Sequence, residues 1–213
     1  MKRIYIIRHG FRLDHEDRSW KATAERPFDA PLSETGHLQA RKTGVALKEA
    51  GITAIYSSPL RRAVQTATHV ANKLDLPIHL ENGIVEWLNP KWYDYTPWQI
   101  PVEGRLEEFP RIEPAYRPLV IPRYPEHHES IPGGRGNYTA RHLSYSNEGP
   151  ILLVTHGVIV MTLVEALTGS RKGVNDKTCA ITIVEKQAEG WVLISSSTDH
   201  LDKDMAEDEV EFV

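Results

Sequence analysis

The chain has 213 residues, with 25 Lys and Arg against 29 Asp and Glu and a net charge of −4. That length suits one sizeable domain with its own core. A single cysteine, Cys179, excludes an intramolecular disulfide framework and suits a reducing compartment. No run approaches the roughly 20 apolar residues of a membrane span. The first apolar run, residues 4–7, is too short for a signal peptide, so a cytoplasmic or nuclear location is expected. Residues 199–213 carry seven acids and one base, which leaves residues 1–198 near +2. Such a near-neutral body has no general hold on nucleic acid. The expected organisation is a domain over 1–198 and a solvated acidic tail over 199–213.

In chain order, residues 3–7 form a short β-branched run that predicts a buried strand. It leads into Arg8-His9-Gly10, with Arg12 close behind. Ser33 can cap a helix running toward Ala50, with Gly51 as its stop. The small residues Ala40 and Gly44, with Leu47, share one face that would let this helix sit close to a sheet. Residues 53–57 are a second strand candidate. Ser58-Pro59 then supplies a capping hydroxyl and a proline at the first helical position. Ala63, Ala67, Val70, Ala71 and Leu74 follow at helical spacing. In the first turn of that helix, Arg61 is expected to face solvent and Arg62 to point inward.

A strand-like run at 78–80 precedes Gly83-Ile84-Val85-Glu86-Trp87. Residues 87–135 are rich in proline and aromatics, including Trp92, Tyr93, Tyr95, Trp98, Phe109, Tyr116 and Tyr124, and have no clean period. They read as an excursion over the sheet, with aromatics that serve either as core or as a pocket wall. His127-His128 reads as an exposed loop pair, and no other cluster has metal-ligand spacing, so neither metal nor cofactor is expected. Residues 151–155 are the most apolar strand and end in Thr155-His156-Gly157. Gly157 opens a helix over 158–167 that stops at Gly169. Residues 180–185 and 191–195 form strands joined as a hairpin through Glu189-Gly190. Alternating strands and helices predict an α/β three-layer sandwich, a mostly parallel sheet with helices on both faces.

Two strands thus end in His-Gly, and the carboxyl ends of parallel strands are where ligands bind. Alone, either histidine could be a turn residue. The arginines change the reading, because Arg8, Arg12 and Arg62 offer planar forks for phosphate oxygens and Arg62 opens a helix, whose N-terminus favours anions.

The ordered set resembles the histidine phosphatase superfamily, with its phosphoglycerate mutase-like fold. The resemblance rests on Arg8-His9-Gly10, on 31–36 (Pro-Leu-Ser-Glu-Thr-Gly), on 57–67 from Ser57-Ser58-Pro59 to Ala67, and on Val154-Thr155-His156-Gly157. The segments 8–14, 83–87 and 116–118 are similar to the branch that holds the suppressor of T-cell receptor signalling proteins, the ecdysteroid-phosphate phosphatases and fungal relatives. One fungal relative belongs to a transcription-factor complex. The helix that precedes the last His-Gly strand in this family reads as shortened, replaced by Pro132-Gly133-Gly134-Arg135-Gly136.

The resemblance implies a metal-independent phosphomonoesterase. His9 is the implied nucleophile; Arg8, Arg12, Arg62 and His156 surround the phosphoryl group, Gly157 helps bind substrate, and Glu86 protonates the leaving oxygen and later activates water. Asp14 and Glu103 stand next in line as the acid. The implied partner is a small-molecule or protein phosphate ester, and a homodimer is left open. Two rivals remain. One is a phosphomutase, although the Gly-Ile-Val-Glu-Trp context of the acid differs from the mutase signature. The other is a binding or scaffold subunit that has lost turnover.

Overall fold

The computed structural model describes residues 2–93, 102–128 and 130–206. Six strands form one sheet: β1 (Arg3–Arg8), β2 (Ala54–Ser57), β3 (Ile78–Leu80), β4 (Ile151–Thr155), β5 (Ile181–Lys186) and β6 (Trp191–Ser197). Their order is β3-β2-β4-β1-β5-β6. β3, β2, β4 and β1 run parallel, and β5 and β6 add an antiparallel edge. The helices are α1 (Leu13–Glu16), α2 (Trp20–Thr23), α3 (Glu34–Ala46), α4 (Arg61–Leu74), α5 (Val102–Glu108), α6 (Ser130–Ser146), α7 (Gly157–Thr168) and α8 (Lys203–Ala206).

Strand periodicity sorts the core into two layers. Ile4, Ile6, Ile151 and Leu153 face α6 and α7, where they meet Ala140, Leu143, Ile159 and Leu163. Tyr5, Ile7, Leu152 and Val154 face the other side and meet Ala63, Ala67, Val70 and Ala71 of α4. The sheet is therefore covered on both faces, the expected three-layer sandwich. With β1 paired to β4 from Ile4↔Ile151 through Arg8↔Thr155, both His-Gly turns leave the sheet at the same end and side by side.

Several local expectations need correction. α3 is capped by Ser33, whose hydroxyl accepts from the Gly36 amide at 3.2 Å, but it ends at Ala46. Gly44 meets α4, where a side chain would sit 3.0 Å from the His69 carbonyl, Ala40 packs with Leu32, Cys179 and Leu201, and Leu47 joins the core that contains Tyr5, Ile7 and Ile55 of the sheet. α4 starts at Arg61 with Leu60 at the cap, two residues later than Ser58-Pro59 suggested.

The helix before β4 is not shortened, because α6 runs 17 residues through the glycine-rich stretch. Pro132 falls in its first turn, where a missing amide costs nothing. Gly133 lies against α7, and a Cβ there would be 2.9 Å from that of Thr162.

The acidic stretch also begins as packed chain rather than as a solvated tail. Leu201 is buried against Leu32, Ala40 and Cys179 with Met205 beside it, and Gln39 donates to the Met205 carbonyl at 2.7 Å. Its residues 207–213 lie outside the described residues, as do Tyr95 and Trp98 of the excursion. Among the described residues no helix is long and apolar enough to cross a membrane.

Candidate active site

His9 follows β1, with its amide donating to the Thr155 carbonyl at 2.9 Å. Gly10 then turns the chain against α3 so closely that a Cβ would lie 2.6 Å from the Gly36 carbonyl oxygen. This turn decides the histidine's chemistry. His9 Nδ1 lies 2.8 Å from the Gly10 carbonyl oxygen. A carbonyl only accepts, so Nδ1 carries the proton and Nε2 keeps its lone pair. Arg62 Nε donates toward that lone pair at 3.2 Å.

His156 follows β4 in the same way, and the two rings lie edge to face with centroids 5.1 Å apart. Its Nε2 is 2.7 Å from the Ser58 hydroxyl. Among the described residues its Nδ1 has no hydrogen-bond partner, and the Glu86 carboxylate faces it at 3.6 Å. A carboxylate favours a proton on the nitrogen facing it. Ser58, which accepts weakly from the Leu60 amide at 3.4 Å, then donates to Nε2. His9 presents a lone pair and His156 an N–H.

Both rings are held neutral. Burial, then the neighbouring Arg62, His156 and Arg8, keep His9 well below the usual histidine range. Burial, then Arg62, Arg12, Arg8 and Arg135, do the same to His156.

Arg8, Arg12 and Arg62 lie close enough to the two histidines to act on their charge, and each has its own tether. Arg62 is buried in the first turn of α4, and its Nη1 donates to the Phe28 carbonyl at 3.3 Å. Arg61 faces outward to Glu108. Arg8 is held by the Asp176 carbonyl at 2.9 Å, while its Nε is buried without a partner among the described residues. Its guanidinium passes Gly157, where a Cβ would lie 3.5 Å from Arg8 Cζ. Gly157 opens α7, which has no side-chain cap, so its first amides are available to an anion.

Arg12 is clasped by Asp14 through two hydrogen bonds of 2.8 and 2.5 Å. Burial raises the Asp14 carboxyl, but the Arg12 hydrogen bonds and charge outweigh it and hold the group below its ordinary value. Asp14 is therefore an ionised partner of Arg12 and a poor proton donor. The Glu103 side chain lies outside the described residues.

Glu86 lies beyond the 3-10 turn Asn82–Ile84, and its Oε1 accepts from the neighbouring Trp87 amide at 2.9 Å. The excursion supplies core and site alike. Phe109 is buried against Val64 and Ile112. Tyr93 is buried beside Phe28, and its hydroxyl hydrogen-bonds Arg62. His127 and His128 are exposed.

The sequence reading missed three residues at the site. Ser58 reads from the sequence as a helix cap, yet it follows a parallel strand just as His9 and His156 do. Tyr93 and Arg135 lay in stretches without a period, and no local signal marks them.

Known proteins share this chain's sequence pattern and fold. The profile of the histidine phosphatase superfamily (branch 1) matches residues 4–199. The chain belongs to that superfamily.

Ubiquitin-associated and SH3 domain-containing protein A of Mus musculus is 38% identical over 153 residues, which are 56% of this chain and 24% of that protein. The chain thus spans about a quarter of that relative's length. Uncharacterized phosphatase PhoE of Bacillus subtilis is 30% identical over 171 residues, 79% of each chain. The structure of an ecdysone phosphate phosphatase from Bombix mori, in complex with tungstate, superposes with a TM-score of 0.73 at 19% identity and covers 92% of both chains.

Proposed function

We propose that the protein hydrolyses phosphate monoesters without a metal, through a phosphohistidine formed on His9. One observation carries the reading: a buried, neutral histidine whose Nδ1 is tied to a backbone carbonyl and whose free Nε2 lies among arginines. Nε2 attacks phosphorus and forms the N–P bond as the ester P–O bond breaks. Arg8, Arg12, Arg62, the His156 N–H and the amides from Gly157 onward balance the phosphoryl charge, a task that a metal would otherwise share. Glu86 in its acid form gives its proton to the leaving oxygen. Its carboxylate then takes a proton from water, which attacks phosphorus and releases phosphate from His9. The Bombix mori phosphatase that shares this fold holds tungstate, an oxyanion of similar shape to phosphate.

Rapid mixing with 32P-labelled aryl phosphate, quenched in alkali, tests the reading. The expected result is label on the protein that is stable to base and lost in acid. Turnover should survive excess EDTA. Turnover with no trapped label, or EDTA inhibition reversed by zinc or magnesium, would overturn it.

The resemblance to Probable phosphoglycerate mutase GpmB of Yersinia, 28% identical over 223 residues, keeps a mutase in the same test. If label chases to a second phosphate ester in preference to water, the enzyme is a mutase.

A further inference from the structure

Glu86 is fixed weakly by its own contacts. Its carboxylate accepts from the next residue's amide and faces His156 at 3.6 Å. What holds the backbone beneath it is a buried ion pair between Arg135 of α6 and Glu126, with side chains 7% and 2% exposed. Arg135 Nε donates to Glu126 Oε1 at 2.7 Å and one terminal nitrogen to Oε2 at 3.1 Å. The same guanidinium donates to the Gly83 and Glu86 carbonyls, each at 2.9 Å. Glu126 completes the frame. Its Oε2 accepts from the Leu88 amide at 3.0 Å, its backbone carbonyl accepts from Trp87 Nε1 at 2.9 Å, and its own amide donates to the Leu88 carbonyl at 2.9 Å. One pair of charges thus spans residues 83–88 on both sides of Glu86.

We infer that the Arg135–Glu126 pair is the positioning device for Glu86 and sets the leaving-group step from outside the phosphoryl pocket. The inference rests on the proposed role of Glu86 as the acid. The segment has no strand partner among the described residues; Val85 and Leu88 pack with Leu60 and Tyr124, and before them the Ile84 carbonyl accepts from Thr155 Oγ1 at 2.7 Å. Apolar anchoring fixes depth but not the rotation of a peptide. Two carbonyls bound by one rigid fork fix both. A lysine would keep the positive charge near His156 and beside Glu126 but could not span Glu126 and both carbonyls. A misplacement of about 1 Å in a reacting group can cost 10²-fold.

The test compares an alkyl phosphate, a poor leaving group, with para-nitrophenyl phosphate, a good one. In Arg135→Lys, kcat for the alkyl ester should fall roughly 10- to 100-fold with KM little changed, and kcat for the nitrophenyl ester less than about threefold. Combined with Glu86→Gln, Arg135→Lys should add almost nothing, because the two act through one group. The neutralised pair Arg135→Met with Glu126→Gln removes both charges together, which avoids a stranded buried charge, and should show the same pattern. Melting curves identify the folded variants.

Equal slowing of both esters in a folded variant, or additive losses with Glu86→Gln, would overturn the inference while leaving Glu86 in place. If Glu86→Gln alone shows no dependence on the leaving group, the reading of Glu86 itself fails, and the inference with it.

Discussion

β1 and β4 are each followed by His-Gly, pair in register and deliver their histidines to one pocket, yet the two rings offer opposite chemistry. At His9 the proton is claimed at Nδ1 by the adjacent Gly10 carbonyl. At His156 the contact is made at Nε2, by Ser58 from the end of β2. One ring therefore shows the pocket a lone pair, and the other an N–H facing Glu86. The strand end decides where a histidine goes, and the partner on its far nitrogen decides what it can do.

The largest effect should separate the two rings outright. His9→Ala removes the only atom that can form the proposed covalent bond. Turnover should fall by at least about 10⁴-fold, as for a lost nucleophile, and trapped label should vanish. His156→Ala removes a donor and leaves the nucleophile. It should cost about 10²–10³-fold, the range for one donor to developing charge, while label still accumulates on His9. Label surviving His9→Ala, or vanishing in His156→Ala at normal folding, would reverse the two roles.

A sequence shows the first half of this contrast and hides the second. His9, His156 and Arg62 were legible because strand ends and helix starts are local signals, and the ladder of β-branched runs placed them on one sheet. The tautomers were not, because Ser58 meets His156 across 98 residues of chain and Arg135 reaches back 49 residues to the Glu86 carbonyl. α6 was missed for another reason. Its Pro-Gly-Gly start breaks the local pattern, while Gly133 is required by the approach of α7, a tertiary demand that propensity cannot express.

Acid should act on both rings in the same direction. Each has its folded pKa lowered, so its unfolded form binds the proton more readily. The stability each contributes is complete above its ordinary value near 6.5 and is lost as pH falls below that value toward the lowered one. The slope is about 1.4 kcal/mol per pH unit for each histidine. Urea midpoints measured from pH 7.5 down to pH 5 should drop below pH 6.5 in the wild type. In His9→Gln/His156→Gln the drop should be shallower but still present, because His15 and His69, each lowered to about 4, remain. An unchanged slope in the double variant would mean that the two rings are not held neutral. The same direction predicts that His9 stays unprotonated below pH 6.5, so kcat should show no acid limb at the ordinary histidine value.

The smallest effect, and the sharpest probe of the contrast, belongs to Ser58. Its hydroxyl touches His156 and not His9, and its loss leaves Arg62, Arg8 and the nucleophile untouched. Ser58→Ala removes the buried hydrogen bond to His156 at 2.7 Å, worth about 1 kcal/mol, and the weak one from the Leu60 amide at 3.4 Å. Without the first, His156 Nε2 is buried beside an apolar methyl, and only the Glu86 carboxylate at 3.6 Å still favours the proton on Nδ1. The result should be a roughly three- to tenfold loss in kcat, as expected when an orienting partner of a catalytic histidine is removed while the ring stays in place. Trapping of label on His9 should be slower but complete. Ser58→Thr keeps the hydroxyl and should recover most of the rate. Nitrogen NMR of ring-labelled protein reads the cause directly: His9 should stay in its Nδ1–H form in Ser58→Ala, while His156 shifts toward a mixture. If Ser58→Ala left the His156 tautomer unchanged, Glu86 alone would be fixing it, and the difference between the two strand ends would rest on the carboxylate rather than on the serine.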